Sequence, residues 1–322
     1  MLKTAEAISP KHPDKICDRI SDAFLDACLA QDPYSRVAIE SMGGHGLITV
    51  TGELTTTAKI DPIAIVKKVA GEQYDVKINI VQQSPQISQG VDVGGAGDQG
   101  IMVGYACDEN IELIPQELYL ARNLNKLIYS RFPFDGKTQI TLTDGKISSI
   151  VASFHNAKSS ELKEIIVGWL VGKPVTENVS IYANPAGDWN IGGFDADTGV
   201  TGRKIICDAY GPQIPVGGGA YSGKDGTKVD RSAAYMARKI AVDAVKQCGG
   251  AVLVKLAYAI GKAEPVMVSI TRPFTEESLA DFSLANYDLT PKGIISFLGL
   301  RNPQFEKVAE WGSYGNGFTW DK

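Results

Sequence analysis

The most regular apolar pattern spans residues 13–30, where Ile16, Ile20, Ala23, Phe24, Ala27 and Cys28 recur at helical spacing behind Pro13, a residue suited to a first helical turn. On another face Asp14, Asp18, Asp22 and Asp26 recur every four residues, a spacing that reads as a solvated acidic stripe. Residues 36–41 and 46–54 alternate around Gly43-Gly44 and predict a hairpin, in which Glu40 and Glu53 read as edge or solvent-facing positions. Asp61-Pro62 caps a short amphipathic helix reaching residue 73, and Val76, Ile78 and Ile80 alternate in a strand behind it. A second set follows: a strand at 101–106, a helix at 115–129, strands at 137–143 and 147–154 joined by Asp144-Gly145, a helix at 160–170 and a strand near 179–183. Hairpin, helix, strand thus occurs twice, and a helix at 229–247 with strands at 251–260 and 266–271 makes a third, looser copy. The pattern predicts an α+β protein of three similar domains of mixed or antiparallel sheet with helices, over residues 1–90, 91–191 and 192–322. Two further helices are predicted at 276–282 and 291–298, followed by an irregular, aromatic-rich end.

Composition narrows the function. A formal net charge of −5 leaves no electrostatic footprint for nucleic acid or an anionic membrane, so a bound anion must meet locally concentrated positive charge. The 5 cysteines are scattered without a C-x-x-C pair and there are only 3 histidines, which argues against a disulfide framework or a zinc site. The N-terminus lacks an apolar signal core and no apolar run is long enough to span a bilayer, so the expectation is a reduced, cytoplasmic protein.

Locally concentrated charge is found at residues 217–231, Gly-Gly-Gly-Ala-Tyr-Ser-Gly-Lys-Asp-Gly-Thr-Lys-Val-Asp-Arg, which open the 229–247 helix. Glycines let a backbone approach an anion, a helix start offers unpaired N–H groups, and Asp225 or Asp230 suits a divalent cation bound to phosphate. The segment is not a P-loop, because Asp225 stands where a Ser or Thr hydroxyl is required. His12-Pro13-Asp14-Lys15 opens the first helix with an imidazole, a carboxylate and an ammonium where an anion or its metal would dock. Residues 83–100 form a long Gly/Gln/Ser-rich loop. Its Gly95-Ala96-Gly97-Asp98-Gln99-Gly100 fits G-x-G-x-x-G but leads into a strand instead of a helix, which excludes a dinucleotide fold. Between them, residues 188–204 combine Trp189, three aspartates and Arg203-Lys204, a set able to stack a base and hold phosphate oxygens.

Together, His12-Pro13-Asp14-Lys15-Ile16, Gln83-Ser84-Pro85, Gln89-Gly90-Val91-Asp92, residues 95–100, Thr201-Gly202-Arg203-Lys204 and residues 217–231 resemble the signatures of the S-adenosylmethionine synthetases (methionine adenosyltransferases), in that family's order. The resemblance implies three domains about a pseudo-threefold axis, ATP and L-methionine as substrates, Mg2+ (two ions) and K+ as cofactors, and active sites shared across a homodimer or a pair of dimers. It implies His12 near the breaking C5′–O bond and Asp14 and Asp230 as magnesium ligands. It also implies Glu40 as a potassium ligand near the Ser222 backbone, Glu6 as a further metal-site residue, and Lys15, Lys137, Arg203, Lys204, Lys224 and Lys228 as a triphosphate cradle. Asp98, Asp135, Trp189, Asp197 and Ala220 resemble positions around ATP, and Glu53, Gln83, Asp197, Lys228 and Ile260 positions around methionine. The chain differs from the family pattern in Lys11 for glycine, Trp189 for an adenine-stacking Phe, and a shortened 91–95 loop, part of the family's active-site gate.

Overall fold

The computed structural model describes residues 1–82, 94–275 and 277–322. In chain order its elements are β1 (Leu2–Ile8), α1 (Pro13–Leu29), β2 (Arg36–Gly44), β3 (Leu47–Thr55), α2 (Pro62–Ala70), β4 (Asp75–Val81), β5 (Gly100–Cys107), α3 (Gln116–Arg131), β6 (Gly136–Thr143), β7 (Lys146–Phe154), α4 (Ser159–Leu170) and β8 (Val175–Ala183). There follow β9 (Gly199–Val200), α5 (Ile205–Asp208), α6 (Val229–Cys248), β10 (Ala251–Tyr258), β11 (Met267–Thr271), α7 (Pro291–Leu298) and α8 (Phe305–Trp311).

The strands form three sheets, ordered β4-β3-β2-β9, β1-β6-β7-β8 and β11-β10-β5. In the first two an antiparallel hairpin is followed by a helix and a strand returning parallel to the hairpin's second strand. This is the repeated unit read from the sequence, and the three-stranded antiparallel sheet is its looser version. No sheet is built from one contiguous stretch: β1 joins β6, β5 joins β10, and β9 joins β2.

The two helices that carry the charged motifs, α1 and α6, are buried in the larger of two apolar cores. Two glycines fix how loops approach α1. A Cβ on Gly199 would stand 2.2 Å from the Pro13 carbonyl, and one on Gly223, at φ +80°, would stand 1.9 Å from the Ile39 oxygen. Gly199→Ala is expected to push β9 off the first turn of α1 and to destabilise the fold by about 1–3 kcal/mol, read as a lower denaturant midpoint at constant slope. A midpoint equal to the parent's would contradict that packing.

Three sequence expectations are corrected. The aspartate face of α1 is no solvated stripe, since Asp14, Asp18 and Asp22 are buried. Each accepts a backbone N–H from another segment: Val200 on Asp14, Gly202 on Asp18 and Gly223 on Asp22. Residues 277–282 form no helix. Its backbone instead pairs with the end of β11, Ser278 bridging Thr271 while Leu279 N–H donates to the Ile270 carbonyl and Glu277 accepts from the Arg272 N–H. Near the end, which reads as irregular, α8 forms because the Asp26 carboxylate accepts the N–H groups of Gln304, Phe305 and Glu306, capping it from α1.

Candidate active site

The first wall of the site is the start of α1. His12 is its N-cap, and its Nδ1 accepts the Asp14 N–H at 3.2 Å. An Nδ1 used as acceptor places the imidazole proton on Nε2, making a neutral donor. Burial, then Lys204 and Lys137, depress the His12 pKa to about 3. Asp14 accepts the Val200 N–H at 2.9 Å, pairs with Lys204, and lies 3.5 Å from the Arg203 guanidinium. Burial opposes its charge, but Lys204 and the Val200 N–H hold its pKa below the ordinary carboxylate value.

Lys137, Arg203, Lys204 and Glu6 line one cavity of about 520 Å³, with Cys207, Ile205 and Ile206 on its floor. The β1–β6 pairing places Glu6 opposite Gln139, two residues from Lys137. Asp135, two residues before Lys137, is buried, accepts the Gly193 N–H at 3.1 Å, and has its pKa pushed by burial up to about 6. Trp189 lies tilted against His155, ring centroids 5.4 Å apart, and His155 also meets Phe134 edge-on at 5.2 Å. Asp197 is exposed, and its charge acts on both His12 and Asp135.

The second wall is the 217–231 segment. Lys224 pairs with Asp230 at 2.7 Å and Lys228 with Asp225 at 2.6 Å. Asp225 also accepts the Val37 and Thr227 N–H groups, so it ties the loop to β2, whereas Asp230 lies against Gly219, where a Cβ would meet its carboxyl at 2.5 Å. The two walls touch where Ala220 packs on Gly202, a Cβ on Gly202 falling 2.6 Å from that of Ala220. A bridge between Ala38 and Lys224 extends β2 sideways, and Ala38 pairs with Glu53 on its other side, so Lys224, Ala38 and Glu53 form one row across the sheet.

Most motif residues therefore converge: His12, Asp14, Lys137, Arg203, Lys204 and Glu6 on one side, Ala220, Lys224, Lys228 and Asp230 on the other. Lys15 is placed differently from an open phosphate cradle. It is fully buried between Asp18 and Asp208, and these carboxylates, outweighing burial, raise its pKa. Glu40 and Glu53 are exposed on the open face of the β4-β3-β2-β9 sheet. Ile260 is 62% exposed, in the turn whose Gly261 and Lys262 bond Ala96 of the segment carrying the exposed Asp98. Gln83 lies outside the described residues. The motif reading passed over His155, one of only 3 histidines, and Cys207, whose thiol donates to Glu6 at 3.2 Å.

The His12 pKa has a measurable consequence. The unfolded imidazole takes a proton near 6.5, the folded one only near 3, so stability from this group is present above 6.5 and is lost as pH falls between those values. Asp135 has the opposite sign, since its raised pKa removes stability as pH rises from about 4 toward 6. The NMR resonance of His12 is expected to stay flat from pH 5 to 8; a midpoint near 6.5 would show a protonated, differently bonded ring.

Fold and cleft together define an α+β ligand-binding protein whose gathered cations, Lys204 and Lys137 beside the His12 imidazole among them, suit a polyanion. The chain belongs to the S-adenosylmethionine synthetase family. It matches the family's N-terminal domain over residues 1–89, its central domain over 93–189 and its C-terminal domain over 191–322. It is 40% identical to the S-adenosylmethionine synthase of Brachyspira hyodysenteriae and 40% identical to that of Pseudothermotoga lettingae, covering 99% of this chain and 95% and 96% of those proteins. It is 39% identical to S-adenosylmethionine synthase 1 of Rhodospirillum rubrum, over 99% of this chain and 95% of that one. The first two alignments run to 375 and 379 positions against 322 residues, so this chain is the more compact.

Proposed function

We propose a division of labour within the cleft for the family's reaction. The chain acts as a methionine adenosyltransferase, transferring the adenosyl group of ATP to the sulfur of L-methionine and then hydrolysing the released triphosphate to phosphate and pyrophosphate. The observation that carries the residue assignments is the meeting of the two cation-bearing loops at Ala220 and Gly202, with Lys204 and Lys137 beside His12.

The sulfur lone pair attacks C5′, the C5′–O5′ bond breaks, and its electrons leave on the triphosphate. No proton moves in this step, so the protein needs no general base. It must stabilise charge building on the leaving oxygen. His12 donates from Nε2 toward that oxygen. Lys137, Arg203 and Lys204 receive the triphosphate from one side, Lys224 and Lys228 from the other. Their present partners, Asp14, Asp230 and Asp225, keep them aimed until the anion arrives. Trp189, backed by His155, offers a stacking face for adenine beside Asp135. Methionine falls to the side of Glu53, Asp197 and Ile260.

Catalysis in this family is metal-dependent. We assign Mg2+ to Asp14 and Asp230, which fit it because each offers hard carboxylate oxygen beside the triphosphate position; magnesium takes one or two carboxylates, phosphate oxygens and water. Bound there it would neutralise triphosphate charge. Among the described residues no three acidic, His or Cys side chains group into a ready-made metal cage, in keeping with ligands completed by substrate. K+ is assigned to Glu40. Because Glu40 and Glu53 stand on an open sheet face next to Lys224, a homodimer that covers this face would complete the site. Among the described residues no helix is long and apolar enough to cross a membrane, and we place the protein in the cytoplasm.

Incubation of the purified chain with ATP, methionine and magnesium is expected to yield S-adenosylmethionine with phosphate and pyrophosphate. Phosphate release independent of methionine, with no sulfonium product, would overturn the proposal in favour of a triphosphate hydrolase.

A further inference from the structure

Behind Asp14, the same face of α1 carries two further buried carboxylates, Asp18 and Asp22. Asp22 is fully buried and grips Arg231 through two bonds of 2.6 and 2.7 Å, while its Oδ1 also accepts the Gly223 N–H at 2.8 Å. Arg231 passes the connection on, donating to the Lys224 carbonyl at 3.1 Å and to the Tyr235 hydroxyl at 3.0 Å, with its guanidinium 4.4 Å above the Phe305 ring. Burial works against the guanidinium charge, but Asp22 outweighs it and keeps Arg231 ionised. One turn earlier, Asp18 accepts the Gly202 N–H at 2.8 Å and bonds Lys15 at 3.4 Å, and Lys15 in turn pairs with Asp208. Gly202 directly precedes Arg203-Lys204, Gly223 directly precedes Lys224, and Arg231 directly follows Asp230.

We propose that Asp18 and Asp22 are positioning residues for the leaving group: from adjacent turns of α1 they hold the two cation-bearing loops, through the Gly202 and Gly223 amides and through Lys15 and Arg231, at the separation a triphosphate requires. The chemistry favours this over simple packing. Adjacent turns of one helix set the distance between two loops that touch at Ala220 and Gly202, and each aspartate accepts a backbone N–H one residue before a cation proposed to face phosphate. A buried ion pair is weak evidence for stability, because well-packed apolar replacements often serve as well. What such replacements cannot supply is one charged group that accepts the loop amide and holds the Lys15 or Arg231 cation at the same time. The inference rests on the assignment of Arg203, Lys204, Lys224 and Lys228 to the triphosphate.

The test uses Asp22→Asn and Asp18→Asn, each keeping the side chain's shape but losing its charge. Binding of inorganic triphosphate is measured by titration calorimetry, beside steady-state kinetics and a thermal melt. A misplaced loop is expected to weaken triphosphate binding at least tenfold and to lower kcat about a hundredfold, with the KM for methionine within twofold of the parent. A merely structural role would lower the melting temperature and leave the triphosphate affinity of the folded protein at the parent value, and that result would overturn the proposal. If Asp22→Asn does not fold because Arg231 is stranded, Asp18→Asn decides alone, since Lys15 keeps Asp208. Lys224→Ala in the same assay separates the two failures. If it too binds triphosphate normally, the phosphate assignment is wrong and the positioning role falls with it. If only Asp18→Asn and Asp22→Asn bind normally, the positioning role alone is refuted.

Discussion

Lys224→Ala is expected to lower kcat about 10²–10³-fold while changing the KM for methionine only a few-fold. Lys224 is half-buried, paired with Asp230 at 2.7 Å, and held by a backbone bridge to Ala38, so its ammonium has little freedom to lose on meeting the proposed triphosphate. Its proposed partner is the leaving group, whose negative charge grows as C5′–O5′ breaks. An interaction that strengthens in the transition state registers in kcat, whereas uniform binding registers in KM. Steady-state kinetics at saturating ATP make the distinction, and an unchanged kcat would refute the role.

Asp230→Asn is expected to raise the half-saturating magnesium concentration about tenfold or more and to lower activity with it. The substitution also takes from Lys224 the carboxylate that aims it, so the loss of kcat should persist at saturating magnesium. A magnesium titration of the variant decides the matter. A parent-like metal response with reduced kcat would leave Asp230 as a partner of Lys224 and no ligand.

Most of the secondary structure was legible because its signals are local. The apolar positions of α1, the Asp-Gly turn between β6 and β7 and the Asp61 cap of α2 each depend on neighbours within a few residues. The aspartate face of α1 was misjudged for the converse reason. A carboxylate every fourth residue looks the same whether it meets water or a buried amide, and the partners that decide it, Val200, Gly202 and Gly223, lie about 180 to 200 residues away. The helix α8 likewise carries no local signal, because its cap comes from Asp26.

The site divides along the same line. Residues 12–15, 203–204 and 224–231 carry glycine spacing and charge that mark them locally, and the fold brings them together. Lys15 shows the limit of that reading, since its motif suggests a phosphate ligand while its surroundings are two carboxylates. Glu40, Glu53 and Ile260 had no local signal beyond family resemblance, and on a single chain they remain on open surface.

If these cations serve a triphosphate displaced by sulfur, the order in which the products appear must show it. A single-turnover rapid-quench experiment, with enzyme in excess over ATP and with methionine and magnesium present, follows sulfonium and phosphate together. S-adenosylmethionine is expected to appear first and phosphate only afterwards, in equal final amounts. Phosphate that appears before the sulfonium, or without it, would contradict it.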